Sequence, residues 1–282
     1  MVINIEIYIP FYYKAYIIYF KLLSHHGSIL DIFYIIAGAS VGFVIGLTGV
    51  GGGSLMTPLL VLGFNVQPAI AVGTDLLYAA ITKSGGILTH QKLGNINWSI
   101  VKKLSFGSIP GSISCILCIQ YFEVSSDTFE RLVSVTLGFM LILTSIVIIL
   151  KDTISHRFKR VQTKQPRTVI IVCLGAALGV LVTLSSVGAG AIGSAILFLL
   201  YPHLKTRAII GTDIAHAVPL TAIAGLGHFQ LGHIDFILLS SLLLGSIPAI
   251  YLGTMMGEKL PEKVLKYIVA SILLLIGLKF SV

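Results

Sequence analysis

Leu47 to Asp75 read LTGVGGGSLMTPLLVLGFNVQPAIAVGTD, and the rest of the chain is organised around this stretch. It opens on a glycine run, Gly49 to Gly53, broken only by Val50. A short apolar piece follows, Leu55 to Gly63. Then Gly73, Thr74 and Asp75 set a carboxylate inside another apolar stretch. A weaker copy lies downstream: LSSVGAGA from Leu184 to Ala191, followed by Gly211, Thr212 and Asp213. Two glycine breaks, each ahead of a short apolar piece and an aspartate, predict two half-sites inside one apolar fold.

The composition says what solvent that fold meets. Of 282 residues, 56% are hydrophobic and 11% charged, with mean hydropathy +0.98. Soluble domains carry about 25% charged residues. The uncharged runs Leu132 to Leu150, Thr168 to Ala195 and Phe236 to Met256 match the roughly 20 residues that cross hydrocarbon. The expected fold class is therefore all-α, a polytopic membrane protein. The formal net charge of +8 does not point to nucleic acid, because the basic residues flank apolar runs instead of lining one polar face. Cys115, Cys118 and Cys173 all fall in apolar runs and read as small hydrophobes, not as a metal or redox set.

Four regions follow. Residues 1–28 are aromatic-rich with Lys14 and Lys21, and suit an interfacial helix or an extra membrane segment. Residues 29–150 form a first membrane repeat, 151–167 a basic loop, and 168–282 a second repeat. Ten apolar segments are expected: 29–48, 51–63, 68–90, 101–121, 131–150, 168–186, 189–201, 206–229, 237–256 and 263–281. The second and seventh are too short for straight crossings, and Pro58 adds a further break to the second. Pro110 and Pro248 are expected to kink their helices.

The repeat is explicit. A shift of 138 residues carries Gly73-Thr74-Asp75 onto Gly211-Thr212-Asp213, His90 onto His228, and Gly107-Ser108-Ile109-Pro110 onto Gly245-Ser246-Ile247-Pro248. Val50-Gly51 reaches Val187-Gly188 at a shift of 137. The central loop holds Lys151, Arg157, Lys159, Arg160, Lys164 and Arg167 against Asp152, and belongs in the cytoplasm. If the short seventh segment returns the chain, Lys205, Arg207, Lys259, Lys263 and Lys266 are cytoplasmic as well. If it only dips, they lie outside. The charge rule favours return, which makes the second half inverted relative to the first, a common transporter plan.

A helix that starts inside a membrane leaves its first amides without partners, and its positive dipole end favours an anion. Gly51, Gly52, Gly53, Gly188 and Gly190 are the candidate backbone donors. Thr48, Ser54, Thr74, Ser185, Ser186 and Thr212 are candidate hydroxyl donors. The competing reading is that these small residues only let helices pack closely. Asp75 and Asp213 are candidate proton carriers, since a carboxylate within a membrane helix is a functional-site hypothesis by default. Lys83 could face the site or pair with Asp213, or it could snorkel to an interface. His90 and His228 could shuttle protons or cap helix ends. His216 shares a helix face with Asp213, and Tyr78 holds that place after Asp75. No cofactor, metal site or catalytic constellation is expected, and no nucleotide-phosphate loop is present.

At these residues the sequence resembles the TauE/SafE family of membrane transporters, also called sulfite exporter-type. The resemblance rests on GLTGVGGGSLMTPLL, the following AVGTD, and a Gly-X-Ile-X-aromatic turn after each histidine (Gly94 to Trp98, Gly232 to Phe236). It covers about residues 29 to 281. The second copy departs from it, with VGAGAIG in place of VGGGS. The resemblance implies movement of small sulfur-containing or organic anions. The expectation is secondary transport across the inner cell membrane, coupled to protons or not, with a small anion and the lipid bilayer as partners and a homo-oligomer compatible with both. A passive anion channel and a non-transporting accessory subunit are the alternatives.

Overall fold

The computed structural model describes residues 27–48, 53–122, 124–158, 167–257 and 262–281. Among these there is no strand. Ten helices follow one another: α1 (Gly27–Thr48), α2 (Gly53–Phe64), α3 (Pro68–Lys92), α4 (Trp98–Tyr121), α5 (Ser126–Phe158), α6 (Thr168–Ser185), α7 (Ala191–Leu200), α8 (Thr206–Gln230), α9 (Phe236–Gly257) and α10 (Glu262–Ser281). Each covers one of the ten apolar segments. Residues 1–26, 49–52 and, in the basic loop, 159–166 lie outside the described residues, while residues 151–158 of that loop continue α5.

By length and composition, α4, α5, α6, α8 and α9 can each cross a membrane. The short elements are α2, with 12 residues, and α7, with 10. At 1.5 Å per residue they reach only about 15 to 18 Å. Pro58 does not break α2, contrary to expectation; the helix runs through it. A proline removes one ladder bond, and the fully buried Met56 and Leu60 pack the turns on either side. Helices α4 and α9 likewise run through Pro110 and Pro248, whose rings are exposed.

The solvent logic is reversed relative to a soluble protein. Phe106, Leu244 and Leu275 are 76%, 69% and 69% exposed, while Asp75, Asp213, His216 and His228 are buried. Apolar side chains face outward and ionisable ones inward, as lipid requires.

Close contacts at glycines set the relative directions. In the α1–α9 pair, Gly38 abuts Leu242 and Gly42 abuts Ser246, so the helices run parallel. In the α4–α6 pair, Gly107 abuts Val172 and Gly111 abuts Ala176, again parallel. A Cβ on Gly107 would collide with the Val172 carbonyl, and one on Gly245 with the Ile35 carbonyl. Helix α8 also runs parallel to α4, through Thr212 at Asn97, His216 at Ser108 and Gly227 at Ile116. Since α6 and α8 both run with α4, the short α7 must carry the chain back between them. Helices α3 and α8 cross antiparallel: Gly73 meets His228, Leu77 meets Gly225, Gly86 meets Ile214, and His90 meets Gly211. Helices α5 and α10 do the same, with Ser145 Oγ donating to the Ala270 carbonyl at 2.7 Å and Gly277 packed on Ile142.

These contacts come in matched sets. The shift of 137 or 138 residues turns Gly107–Val172 into Gly245–Ile35, Gly179–Ser108 into Gly42–Ser246, and Gly211–His90 into Gly73–His228. The turns match too. Gly94 and Gly232 adopt φ of 66° and 77°. Asn95 N donates back to the His90 carbonyl and His233 N to the His228 carbonyl, both at 2.9 Å. This is a Schellman ending, where glycine takes the left-handed position without a Cβ penalty. It explains the Gly-X-Ile-X-aromatic pattern as a helix stop leading into the caps Asn97 and Asp235, whose side chains accept from the first amides of α4 and α9.

Candidate functional site

The second glycine break, between α6 and α7, is the described centre of the polar interior. Helix α6 ends at Ser185, and Ser186 turns left-handed with φ 56°. Helix α7 begins after Gly190, φ 148°, with no side-chain hydrogen bond capping it. Some of the break's groups satisfy one another. Val187 N donates to Ser185 Oγ at 3.2 Å, Ser185 Oγ lies 2.7 Å from the Leu181 carbonyl, and Gly193 N donates to the Gly188 carbonyl at 3.0 Å. Ser185, Ser186, Val187 and Ala189 are buried, so protein encloses the break in this conformation.

Two charged residues of α3 are tied to that break. Asp75 Oδ2 accepts from Ser186 Oγ at 3.0 Å and from Thr57 Oγ1 of α2 at 2.5 Å. Lys83 Nζ donates to the Ala189 carbonyl. Asp75 and Lys83 lie eight residues apart, about 12 Å along α3, and so hold two points of the same break. Lys83 also interacts electrostatically with Asp75 and Asp213. These contacts place the Lys83 ammonium group at the break. Asp213 lies against Gly193, in the first turn of α7. Each aspartate therefore meets the short helix of its own half: Asp75 at α2, Asp213 at α7.

The remaining candidates are placed as follows. Thr74 Oγ1 accepts from Asp235 N at 3.1 Å, and Thr212 Oγ1 from Asn97 N at 2.9 Å; both threonines fasten the turn of the opposite half. His228 Nε2 donates to the Thr183 carbonyl at 2.8 Å, which fixes its proton on that nitrogen. His228 also neighbours His233, whose ring stacks on Phe129 at 4.9 Å. His90 is packed on Gly211. Ser54 is buried on α2. Gly53 opens α2, whereas Gly51, Gly52 and the Thr48 side chain lie outside the described residues.

Sequence reasoning missed three partners. Thr57 reads as one more small residue in an apolar run, yet it is a direct donor to Asp75. The Ala189 carbonyl, a backbone group, carries no sequence signal. Ser108, visible only as part of the repeated Gly-Ser-Ile-Pro, lies 2.8 Å from His216 Nε2. The His216–Ser108 pair matches Tyr78 opposite Ser246 at the shift of 138. Among the described residues no group of three or more His, Cys, Asp or Glu is placed to hold a metal ion. A surface cavity of about 580 Å³ at the end of α4, lined by Leu117, Cys118, Gln120, Tyr121 and Phe122, contains none of the site residues.

Comparison with known proteins places this architecture. The chain is 36% identical over 254 residues to a probable membrane transporter protein of Bacillus subtilis, YjnA, covering 89% of this chain and 99% of that one. It is 29% identical over 231 residues to a second from the same organism, YdhB, covering 80% and 90%. A probable membrane transporter protein of Methanocaldococcus jannaschii is 27% identical over 260 residues, covering 86% and 92%. No solved structure matches significantly. Residues 34–280 match the family described as sulfite exporter TauE/SafE. With its helices, buried charges and close relatives all in agreement, this multi-pass membrane protein belongs to the TauE/SafE family.

Proposed function

We propose that the chain is a secondary transporter of a small anion, of the sulfite, thiosulfate or organosulfonate type, in the cell's inner membrane. The observation that carries this reading is the enclosed break between α6 and α7. There an uncapped helix start, a lysine and two aspartates converge in an apolar interior. A helix start with no side-chain cap has a positive dipole end, and Lys83 adds a cationic side chain beside it. Asp75 and Asp213 are the groups that can hold a proton when the anion enters. No nucleotide-binding motif occurs, so an ion gradient or exchange supplies the driving force. Membership of a transporter family points away from catalysis.

We further read the two halves as inverted repeats. The matched contact pairs, the antiparallel α3–α8 and α5–α10 crossings, and the return of the chain through α7 favour it. The interrupted helices then meet near mid-membrane, where such transporters place their sites. Burial of Ser185, Ser186, Val187 and Ala189 favours an occluded carrier over an open pore.

The test is uptake into liposomes containing the purified protein, with sulfite, thiosulfate, sulfoacetate and simple carboxylates, each with and without a pH gradient. Uptake of at least one sulfur oxyanion above protein-free liposomes is expected. Indifference to all of them would remove the reading.

A further inference from the structure

The break between α6 and α7 opens backbone carbonyls as well as amides. Two of these carbonyls are met within the break's own chain: Gly188 by Gly193 N and Gly190 by Ser194 N, both at 3.0 Å. Between them, the Ala189 carbonyl has no backbone donor among the described residues and takes the Lys83 ammonium instead. Lys83 comes from α3, 106 residues away. A lysine in an apolar helix ordinarily snorkels its head group out to water. Here the head group is turned inward, onto a residue that is only 5% exposed.

The negative charge around that ammonium comes from two helices. It interacts electrostatically with Asp213 of α8 and with Asp75 of its own helix, both buried. His216 of α8 faces it too, with Nε2 held 2.8 Å from Ser108 Oγ. Helices α2 and α7 bring no ionisable side chain. The arrangement is not part of the repeated frame. At the shift of 138 the place of Lys83 is taken by Thr221, whose Oγ1 donates at 2.9 Å to the Ala217 carbonyl of its own helix. An opened carbonyl near carboxylates is a set of hard oxygen ligands, and unwound segments of membrane carriers hold alkali cations with such carbonyls. Buried negative charge with no counter-ion is strongly unfavourable. This chain supplies the positive charge itself, on a side chain.

We propose that Lys83 is a tethered counter-cation, its ammonium occupying at the Ala189 carbonyl the place that a free sodium or potassium ion would otherwise have to take. The inference leaves the identity of the anion open. It rests on the transport reading in one respect only, which it deepens: the carrier needs no alkali cation as co-substrate.

The test uses the purified full chain in detergent. Thermal unfolding is followed at equal ionic strength in the chlorides of choline, sodium, potassium and methylammonium. The wild type is expected to show no saturable dependence on the cation. Lys83→Ala is expected to unfold at lower temperature in choline and to recover saturably with methylammonium, which replaces the missing head group, as a ligand bound only by the folded state must act. Lys83→Met fills the space without charge, and is expected to be destabilised and not to recover. Saturable stabilisation of the wild type by sodium or potassium would overturn the inference, because a free cation would then have a site of its own; this arm needs no variant. A Lys83→Ala protein that responds to no cation would overturn it as well, and so would equal recovery in Lys83→Met. If Lys83→Ala does not survive extraction, Lys83→Gln replaces it, since its amide still donates to the carbonyl but carries no charge; wild-type stability of that variant in choline would overturn the inference. Thiosulfate counterflow by the wild type is expected to proceed in choline as it does in sodium. Exchange that needs sodium contradicts the inference alone. Absence of exchange in every salt contradicts the transport reading, and the unfolding series then decides the inference.

Discussion

Ser186, at the left-handed turn that ends α6, donates a 3.0 Å hydrogen bond to Asp75 of α3, 111 residues away. This bond joins the break of one half to the acid of the other. Thr57 reaches the same oxygen from α2, so three helical segments depend on one carboxylate. Hydrogen bonds to charged groups contribute about 1.5 to 3 kcal/mol. Ser186→Ala and Thr57→Ala are each expected to lower thermal stability in detergent by an amount in that range. The double variant should lose more than the sum, because either donor alone still satisfies the shared oxygen and removal of both leaves it buried without a partner. Strict additivity in thermal unfolding would show that they do not act together.

Helix pairing rests on backbone approach. Gly107→Ala and Gly245→Ala place a Cβ into a carbonyl of α6 and α1 respectively. Overpacking of this kind costs about 1 to 3 kcal/mol, and both variants should show lower yield of monodisperse protein and lower melting temperature. Gly85→Ala, where a Cβ meets nothing within 4 Å, should be neutral or slightly stabilising. Equal loss in all three would remove the packing account.

The topology predicts opposite accessibility for two exposed positions. In the proposed topology His203 lies with Lys205 and Arg207 on the cytoplasmic side, while Gln230 ends α8 at the other face. In a chain with Cys115, Cys118 and Cys173 replaced, an impermeant thiol reagent applied to intact cells should label Gln230→Cys. It should reach His203→Cys only after permeabilisation. The reverse pattern would invert the assignment of sides, and equal labelling would mean that α7 does not return the chain.

The ten apolar segments and both short helices were legible because lipid imposes long uncharged runs. The path of the chain through α7 was open in the sequence, since ten residues can return or dip; the parallel contacts of α6 and α8 with α4 decide between these. The site was half legible. Asp75, Asp213, Ser186 and Lys83 announce themselves as polar residues where polarity is costly. Thr74 and Thr212 read as hydroxyl donors for the same reason, and their oxygens also accept from the turns at Asp235 and Asn97. Side-chain chemistry alone does not tell a fastener from a ligand. The Ala189 carbonyl could not be seen at all, because backbone acceptors have no letter.

The His233 turn should give the protein an acid-sensitive element. This residue lies between α8 and α9 with its ring stacked on Phe129, and burial lowers its pKa from the usual 6.5. The folded state therefore favours neutral imidazole. That contribution is fully present above about pH 6.5 and is lost as pH falls from there through the folded-state value. Melting temperature should drop between pH 7.5 and 5, and drop less in His233→Asn, which installs the residue found at the matching Asn95. The same acid loss in both proteins would assign the sensitivity elsewhere.

The most direct test of anion carriage at an enclosed break is counterflow. Proteoliposomes preloaded with unlabelled sulfite or thiosulfate are diluted into a trace of the labelled anion, with no pH or voltage gradient. The account predicts transient accumulation of label above equilibrium, because a carrier exchanges one bound anion for another. Label that only equilibrates, or never enters, would contradict it.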